Sequence, residues 1–185
     1  MGEQHKKHSR REHLNDFHLN VAGEYVYDGA LYACQNDDAK QRRLKRAVWG
    51  MAAILIVAVI AGGCIPAPGM QNCFYVLLPY LGEFLGAGSV IWALAKLGMD
   101  WGTVREYNYQ KSVAVLPVRT AVTAVFSLLG IVCELIFFFV NDHAGQTFFA
   151  LLYVLLKLTA LLSVLVLRAE IMQAEWDKLP KKDNF

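Results

Sequence analysis

The chain alternates polar and apolar blocks on a coarse scale: a polar start over residues 1–46, then four apolar runs separated by short polar breaks, then a polar end. The runs are Ala47–Ile65, Phe74–Lys96, Val118–Val140 and Thr147–Leu167. Each holds the roughly 20 residues that a helix needs to cross a hydrocarbon core of ~30 Å. None shows the two-residue alternation of an outer-membrane barrel strand. Backbone groups in lipid must be satisfied within their own segment, so each run predicts a transmembrane helix. The breaks carry fitting chemistry. Pro66 and Pro68 stop the first run, and Pro117 stands at the start of the third, where a missing N–H costs nothing. The expected fold is an all-α integral membrane protein: four helices over residues 47–168, a polar N-terminal segment over 1–46 and a tail over 169–185.

The polar segments carry local signals of their own. In GEYVYDGALYAC, Asp28-Gly29 lies between β-prone tyrosines and valine, which predicts a short hairpin over residues 24–34. An isolated hairpin is marginal in water, so this one would lean on the membrane surface, on the loop over 98–117 or on a partner. Residues 35–46 read as a charged helical lead-in to the first span. The 98–117 loop, with Trp101 and Tyr107 at interfacial positions, reads as a short surface helix. The tail reads as an extension of the fourth helix that Pro180 ends.

Composition sharpens this picture. Hydrophobic residues make up 56% of the 185 and charged residues only 18%, where a soluble domain carries about a quarter charged. The mean hydropathy is +0.33. The charges are clustered by side. Nine Lys or Arg precede the first span, four lie in or beside the 98–117 loop and four fall in or beside the tail. The loops over 66–73 and 141–146 hold none. The positive-inside rule therefore places both termini in the cytosol and predicts a cell-membrane protein. The first apolar run begins too late and runs too long for a signal peptide.

Most familiar chemistries find no footing here. Four of the five histidines lie at His5, His8, His13 and His18, but helical metal pairs want i,i+4 spacing while His8, His13 and His18 are five apart, and the stretch reads as a solvated basic tail. No metal, cofactor or nucleic-acid partner is expected. Metalloprotease and nucleophile-elbow motifs are missing, so no catalytic residue is expected and the chain reads as a non-enzyme. Cys64 and Cys73 flank a loop of about ten residues where a disulfide would be worth about 2.5–3 kcal/mol; two free thiols are the open alternative. Cys34 and Cys133 form no CxxC pair.

Three ionisable residues fall inside the spans: Glu83, Glu134 and Lys157. Charges at that depth cost on the order of 3 kcal/mol each unless paired or hydrated. At 1.5 Å per residue, Glu83 lies about 14 Å below Phe74, Lys157 about 15 Å below Thr147 and Glu134 about 9 Å below Val140. Lys157 is thus expected to pair with Glu83, with Glu134 second in line. Gly82 and Gly86 share the Glu83 face, and Ser127 and Gly130 share the Glu134 face, as helix-packing stripes should. Two carboxylates and one ammonium do not cancel, which leaves either a net charge or a neutral acid. The expected role is a non-enzymatic accessory or assembly subunit that meets the lipid bilayer and a larger membrane-protein partner, or a second copy of itself. The alternative is a small oligomeric proton- or cation-coupled transporter using Glu83 or Glu134.

Overall fold

The computed structural model describes residues 17–19, 23, 25–27, 29–98, 101–141 and 147–179. The basic, histidine-rich start up to residue 16, Asp28 and His143 lie outside them.

Four long helices dominate: α1 (Asp38–Cys64), α3 (Phe74–Leu97), α5 (Leu116–Val140) and α6 (Thr147–Met172). All four are long and apolar enough to cross a membrane, by length and composition. The lead-in expected over 35–46 is continuous with the first span. Its 27 residues give α1 a length of about 40 Å, so its basic first turns project beyond a hydrocarbon core of ~30 Å. Pro117 sits in the first turn of α5, as expected. α3 ends on Gly98, whose φ of 71° lets its N–H reach back to Leu94 O at 3.0 Å. Pro79, inside α3, is buried, which fits a membrane helix whose freed carbonyl is shielded by neighbours.

Packing runs around the bundle in the order α1, α6, α5, α3, with a lighter α1–α3 contact closing the ring. α3 and α6 therefore face each other across the diagonal. A short helix, α2 (Pro68–Asn72), folds over one end of the bundle against α3, α5 and α6. The polarity is inverted relative to a soluble bundle. Phe139, Leu85 and Leu162 are 81%, 71% and 62% exposed, while Glu83, Glu134, Ser127, Thr120 and Thr123 are wholly buried. An apolar outer surface of that extent needs an apolar surround, and these are the marks of a multi-pass membrane protein.

The polar segments assemble at the opposite end from α2. β3 (Leu31–Cys34) is the centre of a three-stranded antiparallel sheet, with β4 (Thr103–Arg105) on one side and β5 (Trp176–Lys178) on the other. Tyr32 pairs with Val104 and with Lys178. This corrects the hairpin expected over 24–34. β2 (Tyr25–Tyr27) pairs instead with β1 (Phe17–Leu19), and β3 turns to partners some 70 and 145 residues away. Local turn chemistry lost to long-range pairing. The tail is also corrected: α6 ends at Met172 and the chain turns back as β5 rather than running on as helix. The 98–117 loop holds β4 and then α4 (Glu106–Lys111), a single surface turn and a half.

Aromatic side chains lock this sheet to the bundle. Tyr32 stacks on Tyr109 with ring centroids 4.1 Å apart and planes within 3°. Trp176 meets Tyr109 at 6.0 Å and Trp101 at 6.1 Å. Beneath them Leu44, Leu94, Leu97, Val113, Leu116, Leu167 and Ile171 form one buried cluster. At the same end two arginines tie helix to helix, Arg119 of α5 donating to Ser89 O of α3 at 2.6 Å and Arg168 of α6 to Pro117 O of α5.

Candidate functional site: the buried polar column

The interior of the bundle is polar along one line, and α5 supplies most of it. Thr120, Thr123, Ser127, Gly130 and Glu134 recur at spacings of three and four, which puts them on one helix face. That face looks inward. Thr120 and Thr123 satisfy themselves, donating to Leu116 O at 2.9 Å and Arg119 O at 2.8 Å on their own helix. On α6, Ser163 does the same with Thr159 O at 2.7 Å.

Small residues set how closely the helices approach. A Cβ on Gly86 would lie 2.6 Å from Thr123 Oγ1 and 3.3 Å from Thr123 Cα, so α3 and α5 touch nearly backbone to backbone there. A Cβ on Gly82 would strike the Phe126 ring. Gly130 has a different use. The aliphatic stem of Lys157 passes beside it, with Cε 3.6 Å from where a Cβ would stand. The glycine leaves room for the lysine to cross the bundle.

That crossing ends on Glu83. Lys157 Nζ forms a salt bridge with Glu83 Oε2, with both side chains buried. The two residues belong to α6 and α3, the diagonal helices. Ser127 on α5 donates to Glu83 Oε1 at 2.7 Å, so one carboxylate gathers three helices. Two tyrosine faces complete the ammonium's surroundings: the Tyr80 ring centroid lies 4.6 Å from Nζ and the Tyr153 centroid 5.2 Å. Rings at that range attract a cation through their quadrupoles. Tyr80 also reaches α1, donating to Val59 O at 3.4 Å beside Gly63, which has no side chain to block it.

Glu134 stands apart from this pair. It is wholly buried, and among the described residues neither carboxylate oxygen has a side-chain hydrogen-bond partner, the Gly69 backbone being the polar group that approaches it. Lys157, for which Glu134 was second in line, is engaged by Glu83. The Tyr153 hydroxyl, buried on the adjacent helix, is likewise unpartnered. α2 covers the acid so tightly that a Cβ on Gly69 would run into Glu134 Oε2.

No family model, curated protein or solved structure matches the chain. Its chemistry therefore has to be read from the column itself.

Glu83, Lys157, Ser127, Gly130, Gly82 and Gly86 converge on one seam, with Glu134 above it. Tyr80, Tyr153 and Gly69 join them without being among the residues the sequence pattern points to. Tyr153 was within reach, since it precedes Lys157 by four residues and so shares its face. Tyr80 precedes Glu83 by three in the same way. Gly69 offered no local signal at all. Cys64 and Cys73 are free thiols, exposed and half-buried respectively, and Cys133 is free as well. Among the described residues no group of three His, Cys, Asp or Glu is placed to hold a metal.

Proposed function

We propose that this chain is a non-enzymatic accessory or assembly subunit of a membrane complex, anchored in the cell membrane with both termini in the cytosol. The observation that carries the reading is the closed bridge of Lys157, Glu83 and Ser127. Its charges are spent on one another across the diagonal, as in a fastening, and a buried pair of this kind serves to specify one packing. The orientation draws support from the lysine and arginine distribution. The sheet supports a common side for the polar segments, though not which side, because β3, β4 and β5 are separated by two long helices each and can meet only if an even number of crossings lies between them.

Purification in mild detergent from the native host tests the role. A larger membrane protein that co-migrates in fixed stoichiometry through gel filtration is the expected outcome. Recovery of the chain alone, or only as a homodimer, would sink the accessory reading. The orientation has its own check: a bulky membrane-impermeant thiol reagent applied to intact cells should reach Cys64, placed outside by this topology, and leave a cysteine introduced at Tyr25 unmodified. The reverse labelling would invert the topology.

A second reading is favoured by one observation, the partnerless Glu134. In that reading the chain is an oligomeric proton- or cation-coupled transporter, and Glu134 rather than Glu83 is the coupling group, because Glu83 is committed to Lys157. Glu134→Gln would then abolish pH-driven uptake into proteoliposomes while folding survived. Under the accessory reading the same substitution leaves assembly with the partner intact.

A further inference from the structure

Two polar side chains in the bundle interior have no side-chain partner among the described residues, and they lie at matching depth on adjacent helices. Glu134 lies six residues before the end of α5 and Tyr153 six residues after the start of α6. That places both about 9 Å below the same end of the bundle. Glu134 and Tyr153 are each 0% exposed, and among the described residues both Glu134 oxygens and the Tyr153 hydroxyl lack a side-chain partner. An orphaned buried polar group calls for an explanation, and two on facing helices at one depth call for a shared one.

Charge balance says what the explanation must supply. Glu83 and Lys157 cancel, and the ammonium is further enclosed by the Tyr80 and Tyr153 rings. Among the described residues, none supplies the positive charge that would balance Glu134. The groups facing this region are Tyr153 and Lys157 from α6, Tyr75, Tyr80 and Glu83 from α3, and Cys133 on α5 itself. α2 brings the Gly69 backbone, which packs against the carboxylate where any side chain would displace it. None of these groups is a spare cation.

We propose that Glu134 and Tyr153 form a binding site for a single positive charge, carried by a proton or by a small monovalent cation, beneath α2. The carboxylate supplies the charge for either occupant. The phenol oxygen can accept from a carboxylic acid proton or face a metal cation, and it can donate to the bare carboxylate when the site is empty. The proposal deepens the second functional reading by giving it a ligand set. It rests on that reading only for what the site is used for, since an accessory subunit could bind the same charge.

The test uses the full purified chain in detergent, with thermal unfolding followed as occupancy is varied. A ligand that binds only the folded state raises the midpoint as the site fills. If the occupant is a proton, wild-type stability rises as pH falls through the range where the site fills. If it is a metal cation, the midpoint rises with sodium or potassium chloride at fixed pH and not with choline chloride. In both cases Glu134→Gln, neutral and nearly isosteric, is expected to erase the response. Tyr153→Phe should weaken apparent affinity by about tenfold, the worth of a hydrogen bond to a charged group. Identical responses of wild type and Glu134→Gln to pH and to every salt would overturn the site. Should Glu134→Gln fail to fold, infrared difference spectra of the wild type give a second reading. A carboxyl band that changes with pH or sodium, and is shifted by Tyr153→Phe, supports the site, and an unresponsive band overturns it. Transport is separable: charge binding without uptake, or uptake undiminished by Glu134→Gln, removes the coupling role of Glu134 alone, while the site itself stands or falls on the stability and infrared responses.

Discussion

Replacing Lys157 with methionine is expected to lower the unfolding free energy by about 3–5 kcal/mol, the range for stripping one partner from a buried ion pair. Methionine keeps the length of the stem that lies against Gly130, so little of the loss comes from packing. The loss comes from Glu83, which is wholly buried and would keep only the Ser127 hydroxyl as a partner. The charge pair also joins diagonal helices, so its failure loosens α3 and α6 together rather than one local contact. The decisive comparison is the double substitution Lys157→Met with Glu83→Leu. Removing both charges removes the desolvation penalty along with the attraction, and such replacements are often neutral. The pair should therefore recover most of the lost stability. Chemical unfolding in detergent micelles measures all four corners of this cycle. Additive losses, with the double variant worse than either single one, would show that the bridge is not the fastening it is taken to be.

How much of this was legible beforehand depended on whether the signal was local. Apolar run length and the proline positions sufficed for the four spans, because a helix in lipid closes its hydrogen bonds within itself. Depth counting brought Glu83 and Lys157 to one level, since rise per residue is fixed. What a one-dimensional count cannot supply is which helices are diagonal, and so that Lys157 must pass Gly130 to reach its partner. Glu134 shows the same limit from the other side. Its depth was readable, but its lack of a partner depends on Lys157 being taken and on Gly69 covering it. The sheet was the least legible feature. Its strands run three or four residues, too short for alternation to register, and their partners lie beyond whole helices. The Asp28-Gly29 signal was sound as local chemistry and was still overridden, because Leu31–Cys34 gains two neighbours by pairing at long range.

Trp101 carries the second large effect, and its replacement by alanine is expected to cost about 3 kcal/mol or more, as for other buried tryptophans. It is 2% exposed and sits among Leu94, Leu97, Val113, Leu116, Ile171 and Trp176 around a cavity of about 10 Å³. Alanine would enlarge that void at the one place where β4, the ends of α3 and α6, and the start of α5 share a core. The loss should be uneven. β5 is held by three residue pairs with β3 and by Trp176, which rests on Trp101 and Tyr109. With Trp101 gone, the tail loses one of its two aromatic seats, and β3 loses an edge partner. Limited proteolysis of the protein in micelles should then cut first after Met172 and in the 29–37 segment, before any cut within the helices. Tyr25→Ala, at a residue 75% exposed, is the matched control and should leave the cleavage pattern unchanged. Wild-type cleavage kinetics in Trp101→Ala would mean that the sheet hangs on its backbone pairing alone. Early release of both segments together would mean that the aromatic cluster is what holds the N-terminal strand, the 98–117 loop and the tail on one side as a single surface.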